Sequence, residues 1–156
     1  MALTRPLSGD AARHAQALPH STPTGASDRV ITLGDGRRLG YYESGDPQGQ
    51  PVFFFHGFGT SRVICPPNEH AALAAGVRLI AVDRPGIGLS DAKPGRRLLD
   101  WPADVAALAD RLGLGEFSVI GWSGGGPYAL ACAAARPDRV AAIGLVSSPA
   151  PVARVS

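Results

Sequence analysis

The alternation of apolar runs with helix-spaced segments predicts an α/β fold: an N-terminal hairpin followed by a parallel β-sheet flanked by helices. Three observations carry this. Val52-Phe53-Phe54-Phe55 is an uninterrupted apolar run and Val77-Arg78-Leu79-Ile80-Ala81-Val82 is nearly one, as suits strands buried on both faces. Helical spacing separates the strand-like runs, and strand–helix alternation builds parallel sheets with right-handed crossovers. A glycine-bracketed turn, Gly121-Trp122-Ser123-Gly124-Gly125, joins a β-branched run to an alanine-rich one.

Taken in order, residues 1–28 are rich in Ala, Pro, Ser and Thr without periodicity and read as a flexible leader, with order beginning near Arg29. His14 and His20 lie in it and are poor candidates for ligands or bases. Residues 29–156 read as one domain. Val30–Leu33 and Arg38–Tyr42 flank Gly34-Asp35-Gly36-Arg37, a hairpin signal. Asp46–Gln50 makes a turn before the strand at 52–55, which ends at His56-Gly57-Phe58-Gly59. Asn68 to Gly76 is a short helix with Asn68 as N-cap and Gly76 as stop, and His70 falls on its solvated face. After the strand at 77–82, Asp83-Arg84-Pro85-Gly86-Ile87-Gly88-Leu89-Ser90 is a loop by its Pro and Gly content.

A second helix opens at Asp100 or Trp101-Pro102, with Pro102 at a favoured first-turn position and Asp104 beside the helix N-terminus. Val105, Leu108, Ala109 and Leu112 follow helical spacing, and Gly113 and Gly115 stop it. The strand at 117–120, the glycine-rich turn, a helix over 125–135 ended by Pro137, and a strand at 140–146 complete the order.

Bulk properties exclude several classes. The 156 residues suit one domain, 45% of them are apolar, and the formal charge is only +2. The basic residues are scattered, so no nucleic-acid surface is expected. Cys65 and Cys132 form no metal motif and no disulfide framework, and Cys132 reads as a small core residue. No metal or cofactor is called for. The N-terminus lacks the apolar segment of a signal peptide and no run approaches a membrane span, so a reducing, cytoplasmic location and no membrane partner are expected.

The glycine-rich turn carries the chemistry. G-x-S-x-G between a strand and a helix is a nucleophile elbow: the turn is so sharp that its flanks must be almost free of side chains. Ser123 then stands exposed at a helix start, where the helix dipole favours developing negative charge. A dinucleotide-binding reading fails, because Ser123 occupies the second glycine of G-x-G-x-x-G and no acidic strand end follows about twenty residues on.

His56-Gly57, Asp83–Ser90 and Gly121–Gly125, each after a predicted strand and in this order, resemble the N-terminal half of the α/β-hydrolase superfamily. The resemblance spans residues 29 to about 150. It implies Ser123 as nucleophile and an oxyanion hole made by the backbone N–H groups of Phe58 and Gly124. It implies that His56 shapes the oxyanion loop with Gly57 and is not the general base. Asp83 would tie down the Arg84–Ser90 loop, and Trp122 would pack beside the nucleophile and shape the pocket. The implied activity is esterase-like hydrolysis of a small acyl or related substrate, and a serine argues against the aspartate-nucleophile dehalogenase branch.

The resemblance also implies an acid and then a histidine beyond the strand at 140–146. The residues after Val146 hold neither, and Asp138 lies about a helix length from Ser123. The sequence therefore reads as an incomplete chain without the triad acid and histidine. Its last strand would be an apolar edge flanked by Arg139 alone, a predicted site of self-association. The alternative reading is a non-catalytic binding module on the same fold.

Overall fold

The computed structural model describes residues 27–65 and 69–149. Its strands are β1 (Ser27–Thr32), β2 (Arg38–Gly45), β3 (Gln50–Phe55), β4 (Val77–Val82), β5 (Phe117–Trp122) and β6 (Val140–Val146). Its helices are α1 (Glu69–Ala74), α2 (Trp101–Arg111) and α3 (Gly126–Ala135). The strands form one six-stranded sheet in the order β1-β2-β4-β3-β5-β6. β1 and β2 make the antiparallel hairpin, β2 joins β4 antiparallel, and β4, β3, β5 and β6 run parallel.

Strand alternation divides the apolar residues between two faces. Phe53, Phe55, Ile80, Val82 and Val119 point to one face, where Val105, Leu108 and Ala109 of α2 and Ala129 and Cys132 of α3 cover them. Edge-to-face ring contacts lock this side, Phe53 on Phe117 at 4.8 Å and Phe55 on Trp101 at 5.4 Å. Full burial of such a side chain contributes about 1.5–3 kcal/mol. Val52, Leu79 and Ala81 point to the other face, against Cys65 and Ala72. There the cover is thin: α1 is six residues long, and Phe54 and Ile120 are only half-buried.

Several boundaries differ from the sequence expectation, each for a tertiary reason. β1 starts at Ser27, two residues before Arg29, because Ser27 and Asp28 pair with Glu43 and Tyr42 and Asp28 binds Arg62. The rest of the expected leader, with His14 and His20, lies outside the described residues, as does Asn68. β5 runs on through Gly121 and Trp122, which pair with Leu145 and Val146. Asp104 also does more than sit near a helix end. It is buried and takes a bidentate pair from Arg37 of the hairpin, at 2.6 and 3.1 Å.

Candidate active site

The C-terminal ends of β3, β4 and β5 carry the residues singled out from the sequence, and the parallel pairing of β3 with β4 and β5 brings those ends together. At the end of β5, Ser123 sits at φ 50°, in the left-handed region where a residue with a side chain is strained. The turn forbids side chains around it. A Cβ on Gly121 would lie 2.6 Å from Cα of Gly126, and one on Gly125 would lie 2.0 Å from the carbonyl oxygen of Phe55. Ser123 to Gly125 form a single 3-10 turn that leads into α3. Ser123 is half-buried.

The loop after β3 lies against this elbow. A Cβ on Gly57 would stand 3.1 Å from the Trp122 ring and 3.3 Å from Cβ of Ser123. The Phe58 ring lies over Gly124, whose missing Cβ would meet it at 2.5 Å, and is itself 75% exposed. The two residues expected to offer oxyanion N–H donors are thus in contact, with Ser123 between them in sequence and Gly57 beside it. An open depression of about 600 Å³ adjoins the loop, lined by Gly59, Thr60, Ser61, Val63, Ile64 and Ile87.

His56 is wholly buried. Its Nε2 accepts the Arg84 backbone N–H at 3.4 Å, and its Nδ1 lies 2.9 Å from the Gly57 carbonyl oxygen and 3.2 Å from Arg84 Nη2. Burial holds its pKa below the usual histidine value, the Gly57 carbonyl opposes that, and the Arg84 cation adds to it. A neutral imidazole with both nitrogens engaged has no free lone pair for the Ser123 hydroxyl. His70, on α1, is exposed.

Asp83 is fully buried at the end of β4. Its Oδ1 accepts the Arg62 backbone N–H at 2.8 Å, and its Oδ2 accepts Arg62 Nη1 at 2.8 Å and the Leu89 N–H at 2.9 Å. Its carbonyl accepts the Ser90 hydroxyl at 2.8 Å. Both ends of the 84–90 loop therefore hang on this residue. Arg62 bridges onward to Asp28 at 2.8 Å, linking the loop after β3 to the hairpin.

Arg84 was not distinguished by the sequence from the rest of its loop. It is 4% exposed, and none of the ion pairs among the described residues includes it. Its guanidinium instead donates to the Gly57 carbonyl at 2.8 Å and the Gly124 carbonyl at 3.2 Å, and lies 4.8 Å from the Tyr128 ring centre and 5.4 Å from that of Phe58. Burial lowers its pKa, against a raising effect of Tyr128. The one signal in the sequence was a lone cation among the Pro and Gly residues that follow a strand-ending aspartate.

Cys65 and Cys132 are buried, and burial pushes both thiols up to about 12, so neither is a thiolate at neutral pH. Among the described residues no group of three or more His, Cys, Asp or Glu converges on a metal-sized site. No helix among them is long and apolar enough to cross a membrane.

Comparison with known proteins bears on the family and the fold. The sequence model of a family described as alpha/beta hydrolase fold matches residues 50–155. A non-heme chloroperoxidase of Streptomyces lividans is 40% identical over 125 residues, which cover 79% of this chain and 45% of that protein. A pimeloyl-[acyl-carrier protein] methyl ester esterase of Legionella pneumophila (strain Paris) is 37% identical over 103 residues, covering 65% and 40%. Among solved structures, an epoxide hydrolase from an endophytic Streptomyces superposes with a TM-score of 0.72 at 36% identity, covering 82% of this chain and 39% of that one. An esterase from Exiguobacterium antarcticum gives 0.71 at 28% identity, covering 81% and 47%. The chain spans less than half the length of each of these relatives.

Proposed function

The chain belongs to the alpha/beta hydrolase fold family, and from that premise we propose that it carries the nucleophile half of a serine hydrolase acting on small acyl esters. Ser123 Oγ attacks the acyl carbonyl carbon, a C–O bond forms, and the carbonyl π pair moves onto oxygen. The N–H groups of Phe58 and Gly124 stabilise that oxyanion. Collapse expels the alkoxide and leaves an acyl-serine, which water then hydrolyses. The observation that carries the reading is the left-handed Ser123 on its side-chain-free turn, since such strain persists where the surrounding structure enforces it and clusters at reactive sites.

The proton of Ser123 needs an acceptor. His56 is committed to Gly57 and Arg84, and Asp83 to Arg62 and Leu89. Neither is free to take it, and without another base the proton passes to solvent. Loss of a triad base costs about 10⁶ in kcat and leaves roughly 10³–10⁴ over water from the oxyanion hole and binding. The expected activity is therefore slow acylation by an activated ester. Release of p-nitrophenol from p-nitrophenyl acetate, with an acetyl group retained on the protein, tests this. Equal release by wild type and Ser123→Ala would refute it.

One observation favours a second reading, an interaction module. Among the described residues β6 pairs with β5 alone and exposes Ile143, Leu145 and Val146. Self-association through this edge would appear in sedimentation as a defined oligomer without acylation. The free, buried thiols support a reducing, cytoplasmic setting.

A further inference from the structure

We propose that Arg84 is the positioning residue of the oxyanion hole, clamping the two donor-bearing segments into one geometry through the Gly57 and Gly124 carbonyls. The inference rests on the reading of Ser123 as nucleophile. In a trans peptide the C=O and N–H point in opposite directions. Holding the Gly57 oxygen on the Arg84 side therefore aims the Phe58 N–H away from it. The same fork, through Nη1, holds the Gly124 oxygen and so orients the residue that follows the nucleophile. His56 Nδ1 and the Thr60 hydroxyl also hold the Gly57 oxygen, at 2.9 and 3.2 Å. Neither has a bond to Gly124, so among these donors only Arg84 connects the two segments.

Burial and the nearby Arg96 disfavour the charge on Arg84, and two aromatic rings oppose them. The guanidinium lies near the faces of Tyr128 and Phe58, which favours positive charge, and the Arg84 backbone N–H is fixed on His56. None of the ion pairs among the described residues neutralises it. The charge-assisted bond to the Gly57 carbonyl polarises the peptide that carries the Phe58 N–H, while the bond to the Gly124 carbonyl acts on the next peptide, Gly124–Gly125, and so fixes the backbone on the far side of the Gly124 donor. The planar fork is essential, because a lysine is a point donor and cannot hold two carbonyls in fixed register.

The test compares wild type, Arg84→Lys and Arg84→Met as full 156-residue chains. Ser123 phosphonylation by an alkyl fluorophosphonate should slow roughly 10–10²-fold in both variants, short of the 10²–10³ typical of deleting a donor outright. In nitrogen-15 spectra of Arg84→Lys, the amides of Phe58 and Gly125, which share peptides with the two held carbonyls, should move most. In wild type, through-bond coupling from Arg84 Nη2 to the Gly57 carbonyl carbon should be present, a measurement that needs no variant to fold. Absent coupling, Phe58 and Gly125 shifts no larger than the chain average, or phosphonylation within twofold of wild type would each overturn the proposal. If wild-type Ser123 is not phosphonylated at all while the coupling and shifts appear, the hydrolase reading fails and the clamp stands.

Discussion

Replacing Ser123 by glycine should make the protein more stable than replacing it by alanine, although both remove the proposed nucleophile. Ser123 is held at φ 50°. For a residue with a Cβ, the left-handed region costs about 1–2 kcal/mol, and glycine escapes this. Glycine in turn adds unfolded-state freedom worth about 0.4–1 kcal/mol. At the midpoints of these ranges the difference leaves Ser123→Gly about 0.8 kcal/mol above Ser123→Ala, which keeps the strain. For a domain of this length 1 kcal/mol moves the melting temperature by about 2–4 °C, so the gap should be about 2–3 °C by calorimetry. Ser147, exposed after β6 at φ 49°, supplies a control. Ser147→Gly should give a similar gain and leave acylation intact. A Ser123→Gly protein that melts below Ser123→Ala would refute the claim that the fold forces strain onto the serine.

Other perturbations have equally definite outcomes. Asp83→Asn places an amide N–H₂ against a donor whichever way it flips, since both carboxylate oxygens accept; breaking a buried ion pair costs about 3–5 kcal/mol, and a urea midpoint close to wild type would contradict this. Gly125→Ala drives a Cβ to 2.0 Å from the Phe55 carbonyl oxygen, so it should destabilise by at least the roughly 1–3 kcal/mol of core overpacking; an unchanged melt would show that the elbow can relax. Because His56 has its pKa lowered by burial, the unfolded chain binds the extra proton first. Stability is therefore fully present above the ordinary histidine pKa and falls as pH drops below it. Urea midpoints at pH 7.5 and 5.5 should differ more in wild type than in His56→Asn, and equal differences would argue against a neutral buried ring.

The strands and helices were legible because burial writes itself locally. Val52–Phe55 and Val77–Val82 become the strands that fill both faces, and Val105, Leu108 and Ala109 become the buried stripe of α2. The elbow was legible because glycine is the residue that its backbone permits. What stayed hidden were long-range polar pairings. Arg37 meets Asp104 across 67 residues, Arg62 meets Asp83 and Asp28, and Arg84 reaches Gly57 and Gly124 across 27 and 40 residues. A charged residue carries no periodicity that names its partner. The placement of β4 between β2 and β3 was hidden for the same reason, since strand neighbours need not follow in sequence.

The site of covalent modification tests the proposed role of Ser123 as nucleophile most directly. After prolonged incubation with a fluorophosphonate, peptide mass spectrometry should place the adduct on Ser123 and find none in Ser123→Ala. An adduct on another hydroxyl, or equal labelling of both proteins, would contradict the account.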